Sequence, residues 1–407
     1  MSWFAALTLA GWFMVVIAVF VVRTPRFAAL FGGIVGLYSL VALALAPAFG
    51  RLLPIFAAFH VIVYVSYLAL ARPRMRHLVY LVLVSWPAAF FATGTMLALP
   101  WAILTAMGLH PWGVWIPYVL AGIGLVQSLT TRRAELDVVI SGPGGPRAST
   151  LAPHAHGSTR EERPLRIVQI SDPHLGPFMS VARLRSIAER AVRARPDLVF
   201  LTGDFLTMES NAAPELLVAA LAPLGALRGR VFACHGNHDH EALDAVARAL
   251  AENGVELLVD TAREIMTRAG PVQVVGMDYA SSDRKARLER VCAMHPRVDK
   301  ATRIVLLHDP GAFRHLPEGE GDLVLAGHTH GGQVGLLSLG FSWTFLSMLG
   351  DRLPAHGFWA RGTDRMYVHR GTGHYGFPLR LGVPAEESVL HVHRMKVAIG
   401  ADHERER

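Results

Sequence analysis

Residues 230–240, RVFACHGNHDH, place a short apolar run directly before a cluster of histidine, asparagine and aspartate. The same arrangement follows four other predicted strands. RIVQIS leads into Asp172-Pro173-His174, LVFLT into Gly203-Asp204, RIVLL into His308-Asp309, and DLVLA into Gly327-His328-Thr329-His330. Ligand sites of open α/β sheets form where the carboxyl ends of the strands meet. The pattern therefore predicts an α/β domain with one polar site at that edge.

Outward from these motifs, short apolar strands alternate with amphipathic stretches over residues 165–396. A helix is predicted over 181–194, where Leu184, Ile187, Ala191 and Val192 recur at helical spacing. Further helices are predicted at 214–224 and 241–253, and strands at 166–170, 198–201, 230–233, 273–276, 304–307, 322–325, 366–369 and 389–393. Such alternation indicates a largely covered sheet and one substantial core.

Residues 1–130 have a different composition, which favours a membrane. Of the 407 residues, 52% are hydrophobic and only 17% charged, which is unusual for a soluble or a disordered protein. Four or five apolar runs are close to the roughly 20 residues that cross a bilayer. They cover residues 3–22, 28–49, 52–71, 78–99 and 112–129. We therefore expect a multi-pass α-helical membrane region of about five helices.

Positive charge predicts the orientation of these helices. Residues 1–130 hold six arginines and no lysine, aspartate or glutamate. With five spans, Arg51 lies on one side, and the other side receives Arg23, Arg26, Arg72, Arg74, Arg76, Arg132 and Arg133. Cytoplasmic loops retain positive charge, so an odd span count predicts a cell-membrane protein with a cytoplasmic catalytic domain. One further crossing within the long apolar run 78–109 would invert this orientation.

The rest of the chain carries nearly equal numbers of basic and acidic side chains. A nucleic-acid partner would need a basic stripe on the globular part, so none is predicted, and no feature indicates an oligomeric state. Residues 131–164, rich in Gly, Pro and Ser, are predicted to be a juxtamembrane segment and linker. Residues 397–407 are predicted to be a disordered tail.

The candidate ligands are all nitrogen and oxygen donors. Cys234 and Cys292 form no metal-binding pattern. The set therefore suits Mn, Fe, Zn, Co or Ni better than Cu(I) or an iron–sulfur cluster. At least seven candidate ligands are too many for one tetrahedral site and about right for two divalent ions. A carboxylate such as Asp204 can bridge two ions. Gly203, Gly236 and Gly327 precede ligands at turns where we expect the backbone to approach the site closely.

In their order, these motifs resemble the five blocks of the calcineurin-like metallophosphoesterases. The membrane-anchored layout resembles the branch of transmembrane proteins with a metallophosphoesterase domain. The resemblance implies a β-sandwich flanked by helices over residues 165–396. By position, it assigns Asp172, His174, Asp204 and His330 to one ion, and Asp204, Asn237, His308 and His328 to the second.

The resemblance also implies catalytic roles for two residues. His238 would act as general acid or stabilise the transition state, and Asp239 would orient it. The nucleophile would be a hydroxide held between the ions. Phosphoprotein phosphatases of the family carry an Asp-Arg-Gly run soon after Gly-Asp, whereas Phe205-Leu206-Thr207-Met208 stands here. That difference disfavours a protein phosphatase.

The sequence thus predicts an enzyme, a membrane-anchored metal-dependent phosphoesterase that cleaves a phosphoester or pyrophosphate bond. A lipid-linked substrate is a hypothesis from the membrane tether. The alternative is a non-catalytic, membrane-tethered binding module that retains the fold, but the complete ligand set favours the enzyme. A channel or transporter would need paired charges inside the membrane, which the spans lack.

Two further stretches leave alternatives open. Residues 336–349, LLSLGFSWTFLSML, are either a lip that rests on the bilayer or admits an acyl chain, or a capping loop folded on the core. Residues 371–380 place His374 and Arg380 either against substrate or in a structural turn with an ion pair.

Overall fold

The computed structural model describes residues 2–140, 148–153, 163–349, 353–374, 376 and 378–394. Its first part is a bundle of apolar helices. They are α1 Trp3–Val22, α2 Pro25–Phe49, α3 Leu53–Ala69, α4 Leu78–Tyr80, α5 Trp86–Leu97, α6 Leu99–Ala106 and α7 Ile116–Ser128. A π-helical turn, Leu81–Ser85, joins α4 to α5. Within the described ranges, the stretches Trp3–Val22, Pro25–Ala69 and Leu78–Leu97 are long and apolar enough to cross a membrane.

The stretch Pro25–Ala69 folds back on itself at Gly50, whose φ of +46° reverses the chain. The Tyr38 hydroxyl lies 2.8 Å from His60 Nδ1, and the rings of Phe31 and Tyr67 are 5.6 Å apart. These pairs are nearly symmetric about the turn, so α2 and α3 form an antiparallel hairpin. His60 is buried there, as expected of a packed histidine rather than a proton relay.

The later helices are shorter than the predicted spans. The run predicted over 78–99 ends at Leu97, and Pro100 lies in the first turn of α6. A proline is favourable in the first turn of a helix and disruptive in its interior. At 1.5 Å per residue, the eight residues of α6 reach only about 12 Å. Helix α7 has 13 residues, against the predicted run of 112–129.

The second part is a β-sandwich flanked by helices, as predicted. Its strands are β1 Thr131–Ile140, β2 Ala148–Pro153, β3 Leu165–Ile170, β4 Leu198–Leu201, β5 Val231–Ala233, β6 Glu256–Leu257, β7 Thr261–Thr267, β8 Gly270–Met277, β9 Thr302–Leu307, β10 Leu323–Ala326, β11 Gly357–Gly362, β12 Asp364–Val368 and β13 Ala385–Arg394. In the described part of the chain, one sheet has the order β1-β13-β3-β4-β5-β6 and the other β2-β11-β12-β10-β9-β8-β7.

Apolar faces of the two sheets form the core between them, where Ile167 and Phe200 of the first sheet meet Ile304 and Leu325 of the second. Helices α8 Val181–Arg193, α9 Pro214–Leu221 and α10 Leu243–Glu252 cover the outer face of the first sheet. Helix α11 Arg284–Met294 covers the outer face of the second. Strands β3, β4 and β5 are parallel in the first sheet, and β9 and β10 are parallel in the second. The carboxyl ends of the parallel strands in each sheet therefore lie at the same edge.

Residues 131–140 differ from the predicted linker because they form strand β1. This strand runs parallel to β13, from the pair Thr131 and Ala385 to the pair Ile140 and Arg394. Val138 and Ile140 enter the core, whereas Arg133 is exposed. The exposed residues of this strand are largely charged, as they also are in juxtamembrane segments. The sequence of β1 alone therefore does not indicate a strand. Strand β2 also lies in the predicted linker, whereas residues 141–147 and 154–162 and the predicted tail 397–407 lie outside the described residues.

A buried carboxylate fixes the start of strand β13. Glu386 is 1% exposed and lies 2.8 Å from the Arg370 guanidinium, and the Tyr367 hydroxyl donates to it. Burial alone would raise the pKa of Glu386. The positive charges of Arg370 and His369 and the Tyr367 hydrogen bond outweigh burial and lower that pKa to about 2. The ionised pair is therefore part of the folded state.

We expect Glu386→Gln to destabilise the full chain by up to about 3 kcal/mol, because it leaves the partly buried Arg370 charge uncompensated. The folded pKa lies below the ordinary value of 4.5, so the stabilisation is complete above pH 5 and is lost as the pH falls toward 2. Melting temperatures at pH 7 and pH 4 measure this effect. The exposed Glu264→Gln is the control, and equal melting curves for both variants would contradict the prediction.

Candidate metal centre

Five strand ends bring the predicted ligands together. Asp172 and His174 follow β3, Asp204 follows β4, Asn237 follows β5, His308 follows β9, and His328 and His330 follow β10. Asp204 lies at the centre, with its Oδ2 3.6 Å from His174 Nε2 and 3.3 Å from His308 Nε2. One carboxylate oxygen therefore faces ligands on both sides.

The ligand atoms fall into two groups. In the first, the ligand atoms of Asp172, His174 and His330 lie within 4.8 Å of one another. In the second, Asp204, His308 and His328 meet the same limit. Asn237 joins the second group, with its Oδ1 3.3 Å from His308 Nε2. All seven predicted ligands are thus brought together, in the two sets that the resemblance implies, with Asp204 between them.

The protonation of these groups fits a pair of cations. Burial lowers the pKa values of His174 and His328 to about 4, so both rings are neutral and can ligate a metal. Burial, together with the negative charge of Asp204, raises the pKa of Asp172 to about 7. His308 is also buried, but the nearby carboxylates raise its pKa to about 10. Two buried carboxylates thus demand positive charge, which divalent ions would supply.

Backbone carbonyls orient two of the histidines. His308 Nδ1 lies 2.7 Å from the carbonyl oxygen of Thr202, and His174 Nδ1 lies 3.4 Å from that of Leu206. A proton on Nδ1 leaves Nε2 as the ligand atom, and Nε2 is the atom that faces the site in both residues. Such outer contacts set the tautomer and the ring direction of metal-binding histidines.

The backbone at the site is strained. Of the ten non-glycine residues with positive φ in the described part of the chain, five lie at the site, with φ angles between 45° and 68°: Asp172, His174, Asp204, His328 and His330. Each such conformation costs of order 1–3 kcal/mol and persists only where the surrounding structure enforces it. All five are predicted ligands, so the strain coincides with the metal-binding groups.

The three glycines confirm the expected close approach of the backbone. A Cβ on Gly236 would lie 2.2 Å from Asp204 Oδ1, and one on Gly327 would lie 2.3 Å from Asp172 Oδ2. Gly203 has a φ of +87°, and a Cβ added at this position would lie 2.3 Å from the Gly236 nitrogen. No larger residue fits these positions without moving a ligand.

Asp239 has a different set of contacts from the one expected. Its carboxylate accepts hydrogen bonds from the backbone N–H groups of Asp204, Phe205 and Gly236, at 2.7–2.8 Å. These bonds hold the loops after β4 and β5 together around Asp204. The role of Asp239 in orienting His238 stays a prediction, because the contacts described here are to the backbone.

His238 lies beside the first group, with its ring centroid 5.5 Å from that of His174. Its backbone N–H donates to Asp204 Oδ1 at 2.8 Å, and its Nδ1 lies 3.4 Å from Glu241 Oε1. Burial would lower the pKa of His238, but the hydrogen bond to Glu241 and the negative charge of Asp204 raise it above the ordinary value. These two contacts therefore favour the protonated ring.

Sequence analysis did not identify three neighbours of the site. Glu241 pairs with His238, the Ser171 hydroxyl donates to Asp172, and the Tyr279 ring lies 6.4 Å from the rings of His308 and His328. Glu241 stands three positions after His238, a spacing at which helical residues meet. Tyr279 follows the end of β8, so it obeys the strand-end pattern without being a metal ligand.

A third cluster consists of His235, His240 and Asp278, whose possible ligand atoms also lie within 4.8 Å of one another. Both rings lie 3.1 Å from Asp278 Oδ1, and the Arg287 guanidinium lies 3.0 Å from Oδ2. Because Arg287 already balances the carboxylate, we interpret this cluster as a hydrogen-bond network.

The structure also favours the structural alternative for Arg380, which is fully buried and donates to the carbonyls of Gly373 and Arg370.

The face of the sandwich that holds these ligands packs against the helical bundle. The Trp86 indole donates to the carbonyl of Pro177 at 3.4 Å, in the loop after β3. The Arg23 guanidinium lies 3.7 Å from Met208 Sδ, in the segment after β4. The backbone N–H of Arg380 donates to the carbonyl of Gly124 in α7 at 3.1 Å. The metal-binding loops thus lie next to the helices, which the sequence did not indicate.

Comparison with known proteins identifies the domain that holds the ligands. Residues 165–332 match the family model of calcineurin-like phosphoesterases. The transmembrane protein with metallophosphoesterase domain of Danio rerio is 29% identical over 239 residues, 54% of this chain and 52% of that protein. Phosphodiesterase YaeI of Escherichia coli K12 is 27% identical over 233 residues, 56% of this chain and 82% of YaeI.

A third relative is the UDP-2,3-diacylglucosamine pyrophosphatase LpxG of Chlamydia trachomatis. It is 27% identical over 271 residues, 54% of this chain and 79% of LpxG. All seven predicted ligands lie within the region that the family model covers. Residues 165–332 thus carry a calcineurin-like phosphoesterase domain, and the two ligand groups of this domain indicate a metal-dependent phosphoesterase that uses two divalent ions.

Proposed function

We propose that this chain is a membrane-anchored phosphohydrolase that cleaves a phosphoester or pyrophosphate bond in a lipid-linked substrate. The observation that carries the proposal is the position of the metal centre. Its loops contact the apolar helices through Pro177, Met208 and Arg380. A phosphate group at the membrane surface would therefore be close to both ligand groups.

The residues fit a two-ion site in which each has a distinct task. Asp172, His174 and His330 would hold one ion, Asn237, His308 and His328 the other, and Asp204 would face both. When bound, two such ions activate water and neutralise charge on a phosphoryl group. Burial favours the neutral form of His174 and His328, which can ligate an ion without adding charge of their own.

His238 would supply the proton that the leaving group needs. It lies beside the first ligand group, and Glu241 and Asp204 favour its protonated form. A positioned proton donor of this kind lowers the barrier for expulsion of an alkoxide. The contacts of Asp239 with three backbone N–H groups keep the Asp204 and His238 loops in register.

The arginines support a cytoplasmic position for the catalytic domain. Arg23 follows α1, Arg72 follows α3, and Arg132 follows α7, whereas Arg51 lies at the turn between α2 and α3. Because α2 and α3 form a hairpin, Arg51 lies at the far end of the bundle from Arg23 and Arg72. The domain is on the arginine-rich side, and cytoplasmic loops are rich in arginine and lysine.

Similarity to LpxG supports the choice of substrate class, since its name describes a pyrophosphatase acting on a diacylated sugar nucleotide. The test compares purified full-length protein with Mn²⁺ on bis(p-nitrophenyl) phosphate and on phosphorylated lipids in nanodiscs. We expect kcat/KM for the preferred lipid to be at least about tenfold higher, a difference of about 1.4 kcal/mol in barrier. Equal values would contradict the lipid substrate. Full metal occupancy with no turnover of either would favour the non-catalytic binding module.

A further inference from the structure

Residues 336–348 form an exposed apolar surface beside the metal centre, which we call the apolar loop. Leu339 is 70% exposed, Phe341 61% and Met348 66%. Leu336, Trp343 and Phe345 are also exposed, and the loop has no charged residue. Capping loops bury such side chains against their own core, so the structure disagrees with the capping alternative.

Backbone hydrogen bonds hold the apolar loop in place. The N–H of Gly335 donates to Leu381 and that of Ser338 to Gly382, each at 2.9 Å. Within the loop, the N–H of Leu336 donates to Trp343 at 2.9 Å. The exposed side chains are therefore presented by an ordered backbone. Large apolar patches on an ordered surface mark an interaction site rather than ordinary packing.

The position of the loop indicates what covers it. The Gln127 side chain donates to the Ser338 hydroxyl at 3.0 Å and accepts from the Gly382 N–H at 2.8 Å. Gln127 lies in the last turn of α7, immediately before the sandwich begins. The apolar loop is thus level with the end of an apolar helix, where the surface of a bilayer that surrounds the bundle would lie.

The same loop adjoins the metal-binding residues. It follows His330 by six positions, and a Cβ on Gly332 would lie 3.1 Å from Leu346. Exposed arginines, Arg26 and Arg72, lie at helix ends on this side of the bundle. Basic side chains at such positions favour anionic lipid headgroups, and apolar side chains beside them favour the acyl boundary.

We propose that the apolar loop inserts its side chains into the bilayer leaflet next to the catalytic domain, so that the metal centre faces the headgroup layer. This inference rests on the membrane anchoring of the proposed function. It adds a second membrane contact to the helices. The occupant is the lipid bilayer itself, because the loop contacts the last turn of the apolar helix α7 and carries no charge.

Insertion is tested on the full chain with an environment-sensitive fluorophore, NBD, on Phe341→Cys. Cys234 and Cys292 are buried, which favours labelling at the new position. In phosphatidylcholine and phosphatidylglycerol nanodiscs, we expect blue-shifted emission and quenching by doxyl-labelled lipid. The control is Met266→Cys, since Met266 is 75% exposed and lies near the opposite end of the sandwich. Quenching no greater than at the control would overturn the proposal, as would shielding caused by a second copy of the chain.

A second variant separates the loop from the substrate. Phe341→Ser with Phe345→Ser should retain metal content and turnover of bis(p-nitrophenyl) phosphate, and lower turnover of nanodisc-embedded phosphorylated lipid by about tenfold. Unchanged lipid turnover in this double variant, with quenching observed in the labelled Phe341→Cys protein, would overturn a role for insertion in placing the centre. Absence of lipid turnover in the wild type, with quenching intact, would contradict the lipid substrate and leave the loop insertion supported.

Discussion

Replacing Asp204 by asparagine should lower the turnover of a soluble phosphodiester by at least about 100-fold and reduce the bound metal below two ions per chain. Changes to the outer contacts of a metal ligand alone cost 10–100-fold in affinity or activity. Asp204 Oδ2 faces His174 on one side and His308 on the other. A neutral amide removes the negative charge that both groups share, so we expect the larger effect. Metal analysis and steady-state kinetics on the full chain measure it.

Asparagine keeps the shape of Asp204 and the acceptor for the His238 N–H, so the loop should remain folded. Asp244→Asn makes the same chemical change at an exposed position in the first turn of α10. It should leave metal content and turnover at the wild-type values. Equal metal content and equal turnover in the two variants would contradict the two-ion arrangement.

His238→Gln should lower kcat by about 10²–10⁴-fold for an ester of an aliphatic alcohol and much less for a p-nitrophenyl ester. An aliphatic alkoxide needs a proton to leave, whereas p-nitrophenolate leaves without one. Glutamine keeps the backbone N–H bond to Asp204 but its amide cannot supply that proton. Metal content should stay unchanged, because the seven predicted ligands remain. Rates for the two esters, measured side by side, provide the comparison.

His240→Gln is the matched control, because His240 is a nearby exposed histidine whose ring faces Asp278. It should change neither rate appreciably. An equal loss with both esters in His238→Gln would exclude proton donation and assign His238 an electrostatic role. Loss of metal in that variant would place its effect on the ligands instead.

Much of the site could be predicted because its pattern is local. Each ligand directly follows a strand, and the strand end and the polar residue lie within a few positions of each other, as at Ile170 and Asp172. Parallel strands then bring these residues to one edge without any detailed knowledge of packing. The glycines were predictable for the same reason, since a turn beside a ligand leaves no room for a Cβ at Gly236.

Other features depend on partners that are distant in sequence. Strand β1 is recognisable only beside β13, about 250 positions later, because its exposed half carries charges that also fit a juxtamembrane segment. The backbone contacts of Asp239 depend on how the loops after β4 and β5 meet. Glu241 becomes a partner of His238 only through the turn that follows β5.

The sequence by itself determined the resemblance of residues 165–332 to calcineurin-like phosphoesterases, the donor set for two ions and the apolar character of residues 1–130, because motif order and composition are properties of the chain alone. The tertiary structure decided which face of the sandwich meets the helices and whether residues 336–348 are exposed. Both depend on contacts such as Gln127 with Ser338, which join parts of the chain more than 200 residues apart. Local patterns carry no information about such distances, so the direction in which the metal centre opens is a property of the fold.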